Sequence, residues 1–244
     1  MNSRIATIDL STWPVALLAG GLAKRLRPAT TKIPKALVTV AGEPFLSHQL
    51  RLLYSAGLRR VVLCVGYLGE MIEKEFGDGA RFDMRVVYSF DGPRLLGTGG
   101  ALKNALPLLR ERFFVLYGDS YLPIDYRSVA RAFLDNGKPA LMTVFKNENR
   151  WDKSNVWFDG NAIRRYDKKN RTVEMEYIDY GLSVLDARVL MKWPDKEPFD
   201  LAEVYQDLCE QGQLAGLELK QRFFEIGSTE GLAELDALLR QPIA

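Results

Sequence analysis

Apolar residues in this chain fall into short continuous runs that alternate with stretches of helical spacing. Val15 to Ala19 reads as a short buried strand that breaks at Gly20-Gly21. Val61–Val65, Met84–Tyr88, Phe113–Tyr117 and Ala140–Phe145 are further runs rich in β-branched and aromatic residues, the mark of strands buried on both faces. Between them, Phe45, Leu46, Leu50, Leu53 and Tyr54 repeat at helical spacing over Pro44–Ala56, and Gly57 stands where a helix end favours a left-handed residue. Helices are also predicted over Gly69–Phe76, over Thr98–Leu109 with Pro107 limiting its end, and over Arg127–Leu134 before Asn136-Gly137. This alternation of strand and helix predicts an α/β fold with a mostly parallel sheet covered by helices.

Past Phe145 the pattern changes. Asn155–Asp159, Ala162–Tyr166 and Ile178–Leu185 read as shorter strands with turn chemistry such as Asp159-Gly160-Asn161, and predict a smaller antiparallel lobe. A strand-like stretch around Leu217–Ile226 separates two helices, Leu201–Gln211 and Ser228–Leu239. The first thirteen residues are expected to form an irregular arm. The proline-broken segment Leu22–Pro44 reads as a long ordered loop, a kind that is usually functional in a compact domain. One domain is expected over 1–244, with a first half at about 14–146, a second half at about 147–227 and a C-terminal helix at 228–244.

Composition narrows the function classes. The 244 residues carry 33 Lys and Arg against 31 Asp and Glu, a balance without the electrostatic footprint of a partner for long nucleic acid. Two cysteines, Cys64 and Cys209, both in apolar runs, and a single histidine, His48, argue against a disulfide scaffold and a zinc site. His48 reads as structural. No run approaches the roughly 18 apolar residues that span a bilayer, and the N-terminus lacks a signal-like apolar stretch, so a cytoplasmic protein without membrane contact is expected.

The strongest local signal is Leu18-Ala19-Gly20-Gly21, with cations following at Lys24, Arg25 and Arg27 and then Pro34-Lys35. A strand entering two glycines lets backbone N–H groups approach phosphate oxygens, and Arg25 and Lys35 can neutralise a polyphosphate. The alternative is a tight turn followed by solvated charge. Neither the Walker pattern nor the G-x-G-x-x-G dinucleotide fingerprint is present. Gly97-Thr98-Gly99-Gly100 opens a helix, either beside a ligand or as a simple Thr cap with glycines for close packing. Tyr117-Gly118-Asp119-Ser120 ends a buried strand, so Asp119 points into the ligand crevice of a parallel sheet unless it merely caps a turn. Glu225 ends a second strand-like run before a helix, whose N-terminus would also favour a carboxylate.

Together, Gly20-Gly21-x-x-x-Arg25-Leu26-x-Pro28-x-Thr30 and Pro34-Lys35-Ala36-Leu37 resemble the signature of the sugar-1-phosphate nucleotidyltransferases. The likeness covers nearly the whole chain. It is strongest to the D-glycero-D-manno-heptose 1-phosphate guanylyltransferases, and the chain is also similar to the N-acetylmuramate 1-phosphate uridylyltransferases. That family usually has glycine where this chain has Ala23, and aspartate at Glu225.

The resemblance implies a three-layer Rossmann-like nucleotidyltransferase fold. It also implies transfer of a nucleoside monophosphate from a nucleoside triphosphate, GTP first among them, to a sugar 1-phosphate such as a heptose 1-phosphate, by a monomer or homodimer. It assigns Leu18, Ala19, Gly20, Gly21, Gly97, Thr98 and Gly99 to the nucleotide, and Arg25, Lys35 and Asp119 to catalysis. Mg²⁺ falls to Asp119 and Glu225, and the acceptor to Asp167, Lys168, Tyr180 and Gly181. An exposed charged turn is the rival account of Asp167-Lys168, and a strand bulge that of Gly181. A uridylyltransferase and a nucleotide-sugar-binding module without catalysis remain alternatives. A glycosyltransferase would usually show Asp-x-Asp where this chain has Gly118-Asp119-Ser120.

Overall fold

The computed structural model describes residues 8–21, 32–148, 150 and 153–241. The chain enters through a 3-10 turn, Leu10–Thr12, whose Leu10 is buried, so the expected arm is partly docked. Strand β1 follows at Pro14–Leu18. Within the expected long loop the structure places a 3-10 turn, Lys35–Leu37, and a small hairpin of β2 (Thr39–Val40) and β3 (Glu43–Pro44). Ala41 and Gly42 both have positive φ at its tip, the conformation that two-residue hairpin turns require.

Helix α1 (Phe45–Ser55), β4 (Arg60–Val65), α2 (Gly69–Phe76), β5 (Arg85–Phe90) and α3 (Gly97–Ala105) complete the first half. Next come β6 (Arg112–Tyr117), β7 (Ser120–Tyr121), α4 (Tyr126–Asn136) and β8 (Ala140–Lys146). Asp125 caps α4 by accepting from Arg127 N, and Gly137 ends the helix in the left-handed region.

Strands β9 (Val156–Phe158), β10 (Ile163–Tyr166) and β11 (Tyr177–Asp186) follow. They do not form a sheet of their own. They join a single nine-stranded sheet, in which β5, β4, β1 and β6 pair in parallel and β11 lies antiparallel between β6 and β8. The long strand β11 spans both halves, so the antiparallel region continues the main sheet. Trp157 on β9 is 40% exposed.

The remaining elements are α5 (Leu201–Glu210), β12 (Leu214–Glu218), β13 (Phe224–Glu225) and α6 (Thr229–Leu239). The stretch expected as one strand around Leu217–Ile226 is thus two: β12 pairs in parallel with β8, and β13 pairs with β7.

Alternate residues of each central strand face opposite layers. Val15 and Leu17 pack with Leu46, Leu50 and Phe133 on one side, while Ala16 packs with Leu102, Val204 and Leu208 on the other. A third cluster, Val40, Phe45, Ile226 and Leu235, binds α6 to the β2–β3 hairpin and to β13. Among the described residues, no helix is long and apolar enough to cross a membrane.

Leu235 is fully buried in the third cluster. Leu235→Ala should destabilise the protein by about 2–4 kcal/mol, the usual cost of a leucine-sized hole. A urea titration reads this as a lower midpoint at unchanged slope. A loss below about 1 kcal/mol would show that α6 is not anchored there.

Candidate active site

The carboxyl ends of β1 and β6 open into a cleft of about 420 Å³, bordered by Leu18, Ala19, Gly20, Gly21, Lys35, Gly97, Thr98 and Asp119. This is where ligands bind in open parallel sheets. The two strand exits are pressed together: Gly118 N donates to Leu18 O at 3.0 Å, and a Cβ on Gly118 would sit 2.5 Å from that oxygen. Only glycine fits there. Residues 22–31, and with them Ala23, Lys24, Arg25 and Arg27, lie outside the described residues.

The α3 N-terminus is less open than a bare glycine-rich helix start. Gly97 has φ +71°, and a side chain on it would run into Phe199 O at 2.6 Å. The amides of Gly99 and Gly100 both donate to Phe199 O, and Gly99 packs against the Phe199 ring, so Gly99 does not border the cleft. Thr98 Oγ1 donates to Asp200 Oδ1 at 3.0 Å and accepts from Leu201 N at 2.9 Å. Gly97 and Thr98 therefore remain as cleft wall, while Gly99 serves the docking of α3 on the start of α5.

Asp119 stands between this cleft and a second cavity of about 610 Å³, and both it and Tyr117 border the two. Buried Gln49 on α1 holds the turn that presents Asp119, donating to Ser120 O at 2.8 Å and to Tyr117 O at 3.4 Å. Asp119 O accepts from Ile226 N at 2.9 Å, and Glu225 pairs with Ser120 across β13–β7, so the two carboxylate-bearing residues sit on neighbouring chain segments. Glu225 borders the second cavity, its carboxylate lying against Gly227. Ser228 caps α6 just beyond, accepting from Gly231 N.

Lys35 Nζ meets Asp119 Oδ2 at 2.9 Å, with side chains 17% and 30% exposed. Among the described residues, no cluster of three or more His, Cys, Asp and Glu could hold a metal by itself.

Lys168, Tyr180 and Gly181 border the second cavity. Lys168 Nζ lies 5.7 Å from the Tyr117 ring centre and 5.8 Å from that of Tyr166. Asp167 does not border it. Its Oδ1 accepts from Lys169 N and Asn170 N, each at 2.8 Å, and these bonds, that of Asn170 foremost, hold its carboxyl below the ordinary range. The carboxylate in the cavity wall is instead Asp179, on the long strand β11. It accepts from Gly181 N at 3.0 Å, and its own N–H donates to Asn155 Oδ1 at 3.0 Å. Burial pushes its carboxyl up, opposed by the nearby Lys168 charge. Asn155 and Arg222 also line this wall, and both oxygens of Glu234 bind the Arg222 guanidinium.

Asp91 is the other residue that sequence reasoning left unassigned. It borders the first cleft, its Oδ2 accepts from Leu96 N at 3.1 Å, and its buried Oδ1 has no partner among the described residues. Burial raises its carboxyl. The available signal was an acidic residue immediately after a strand, at Phe90-Asp91-Gly92-Pro93.

The cleft at the strand ends thus meets a second polar cavity at Asp119. The profile of the Nucleotidyl transferase family matches residues 15–241, and the chain belongs to that family. Mannose-1-phosphate guanyltransferase beta-B of Xenopus laevis is 31% identical over 217 residues, covering 86% of this chain and 60% of that protein. A UTP–glucose-1-phosphate uridylyltransferase of Synechocystis is 27% identical over 213 residues, covering 80% and 55%. The chain therefore spans about 60% of the length of the first of these relatives.

Among solved structures, HddC of Yersinia pseudotuberculosis, complexed with GMP-PN, is similar with a TM-score of 0.78 at 24% identity, over 93% of this chain and 100% of that one. A putative glucose-1-phosphate thymidylyltransferase of Bacillus anthracis gives 0.82 at 19%, over 95% and 97%. At these identities the likeness is one of fold.

Asp167 and Asp179 should respond oppositely to pH. Asp167 has a depressed carboxyl, so its stabilisation is complete above the ordinary value of 3.8 and fades as pH falls through the lower folded value. Asp167→Ala should cost about 1–2 kcal/mol at pH 7 by losing two turn bonds. Asp179 has a raised carboxyl, so its ionised form weakens the fold once pH rises through the folded value. Asp179→Asn should leave stability at pH 7 equal or higher. Urea unfolding at pH 7 and pH 4 tests both, and a destabilised Asp179→Asn would mean that the carboxylate serves the fold.

Proposed function

We propose that this chain transfers a nucleoside monophosphate from a nucleoside triphosphate to a sugar 1-phosphate, releasing pyrophosphate, with GTP as donor and a heptose or hexose 1-phosphate as acceptor. The observation that carries this reading is the meeting of two cavities at Asp119. A phosphate oxygen held on the acceptor side can approach an α-phosphorus held on the donor side, in line with the departing pyrophosphate. Such chemistry needs positioning and charge neutralisation rather than a protein nucleophile. Lys35 supplies positive charge on the donor side, and its motif gives Arg25 the same role. Lys168 supplies it for the acceptor phosphate, and Asp179 with Asn155 takes sugar hydroxyls in the place expected of Asp167.

Asp119 and Glu225 offer hard oxygen ligands from adjacent segments, and magnesium characteristically takes one or two carboxylates together with substrate phosphates. The pair fits that requirement in its donor set, since pairing of Glu225 with Ser120 and of Asp119 O with Ile226 N sets both residues on neighbouring segments beside the second cavity. A bound Mg²⁺ would supply Lewis-acid charge stabilisation at the phosphates. A cytoplasmic location is part of this reading, and the free thiols of Cys64 and Cys209 suit a reducing compartment.

Guanine as the base rests on Asp91. Guanine presents N1–H and an N2 amino group side by side, two donors that suit a carboxylate, and Asp91 is a carboxylate bordering the cleft. Uracil and thymine offer one N–H flanked by carbonyl oxygens that a carboxylate repels. The guanyltransferase named above and the GMP-PN in HddC agree with this choice.

The direct experiment is a pyrophosphate-release screen crossing the nucleoside triphosphates with heptose, mannose, glucose and N-acetylmuramate 1-phosphates in the presence of magnesium. GTP with a heptose or hexose 1-phosphate should be the most active pairing, and Asp119→Asn should abolish it without unfolding the protein. Failure of every pair would reject the reading, and a preference for UTP would move it to the uridylyl class.

Asp91→Asn should lower kcat/KM for GTP by about 10–100-fold, the worth of a hydrogen bond to a charged group. Relief of a buried charge leaves its stability at pH 7 equal or higher. Intact GTP preference in this variant would show that the base is read elsewhere.

A further inference from the structure

The partition between the two cavities contains an ion pair whose members belong to different sides. Lys35 borders the donor cleft only, whereas Asp119 borders both. Their 2.9 Å contact occupies the ammonium that the donor cleft would offer to a phosphate and one oxygen of the carboxylate shared with the acceptor cavity. Neither backbone needs to move for the pair to part. Pro34 holds an extended conformation immediately before Lys35, Lys35–Leu37 is a hydrogen-bonded turn with Ala36 buried, and Asp119 O is held by Ile226 N. Any change of partner is a swing of two side chains.

A triphosphate outcompetes a single carboxylate for an ammonium, because it carries more charge and presents several oxygens to a flexible point cation. We infer that Lys35 and Asp119 form a partner-exchange pair: Asp119 holds Lys35 in the empty cleft, and an entering phosphate chain takes Lys35 over and releases the Asp119 carboxylate. The inference rests on the reading of the first cleft as a triphosphate site. The pair lowers the affinity for metal-free nucleotide, since it must be broken on binding. Linkage makes the coupling reciprocal, so whatever engages Asp119 strengthens nucleotide binding by the same factor.

The test is a double-mutant cycle on GTP binding in EDTA, followed by calorimetry, with wild type, Asp119→Asn, Lys35→Met and the double variant. Asp119→Asn should bind metal-free GTP about fivefold more tightly than wild type, the upper range for a partly exposed pair. Lys35→Met should bind more weakly. Removal of Asp119 also relieves plain repulsion between carboxylate and phosphate, and the cycle separates the two effects. In the Lys35→Met background the Asp119→Asn gain should shrink to the part that relief of repulsion supplies if the exchange operates. A gain of equal size in both backgrounds, or no gain in the single variant, overturns the proposal. Asp119→Ser provides a second neutral replacement should the asparagine variant not fold. If wild type binds none of GTP, UTP, CTP and dTTP, the functional reading falls together with the exchange, whereas binding without coupling removes the exchange alone.

Discussion

Much of the geometry follows from the close approach of two strand exits, where β1 leaves the sheet at Leu18 and β6 at Tyr117. The Gly118 amide donates to Leu18 O, and there is no room for a side chain between them. This contact brings the Gly20-Gly21 segment beside Asp119, so the backbone suited to phosphates and the carboxylate suited to a cation share one cleft wall. A bulkier residue at 118 would have to separate the strands, and parallel pairing of β1 with β6 depends on their staying together.

The second organising feature is the way elements distant in sequence support the turn around Asp119. Gln49 reaches from α1 to two of its carbonyls, and β13 closes on β7 from the far end of the chain. The third apolar cluster then fixes α6 against the β2–β3 hairpin, which immediately follows the Lys35 turn. Lys35, Asp119 and Glu225 are thereby tied into one body although 190 positions separate the first from the last.

Charge within the site is distributed with little redundancy. Lys35 is neutralised by Asp119, and Arg222 by Glu234, while burial pushes the carboxyls of Asp91 and Asp179 upward. Both of these carboxylates stand in cavity walls, where desolvation works against their charged forms. Their presence there is what a site that reads polar ligands requires, and stability is the usual cost of such groups.

The order and type of the main elements were legible from hydrophobic period alone, because central strands buried on both faces must be apolar throughout and the covering helices must be amphipathic. Gly20-Gly21, Lys35 and Asp119 were legible as well, since strand-exit glycines, a proline-fixed lysine and a strand-end carboxylate are local patterns. Tertiary structure alone decided that β9–β11 extend the main sheet, because pairing partners depend on the long strand β11 reaching past the end of β6. It also decided which acidic residue faces the acceptor cavity. Asp167 and Asp179 are equivalent as letters, yet one is consumed by the amides two and three positions along its own turn, and the other lies in the wall where the pairing of β11 with β8 shifts register between Asp179 and Ser183. Asp91 gains its unpartnered oxygen, and Gly99 loses its free amide to Phe199, through contacts made across the fold. Local pattern determines where polar chemistry is available, and only packing determines which of those groups are left unsatisfied for a ligand.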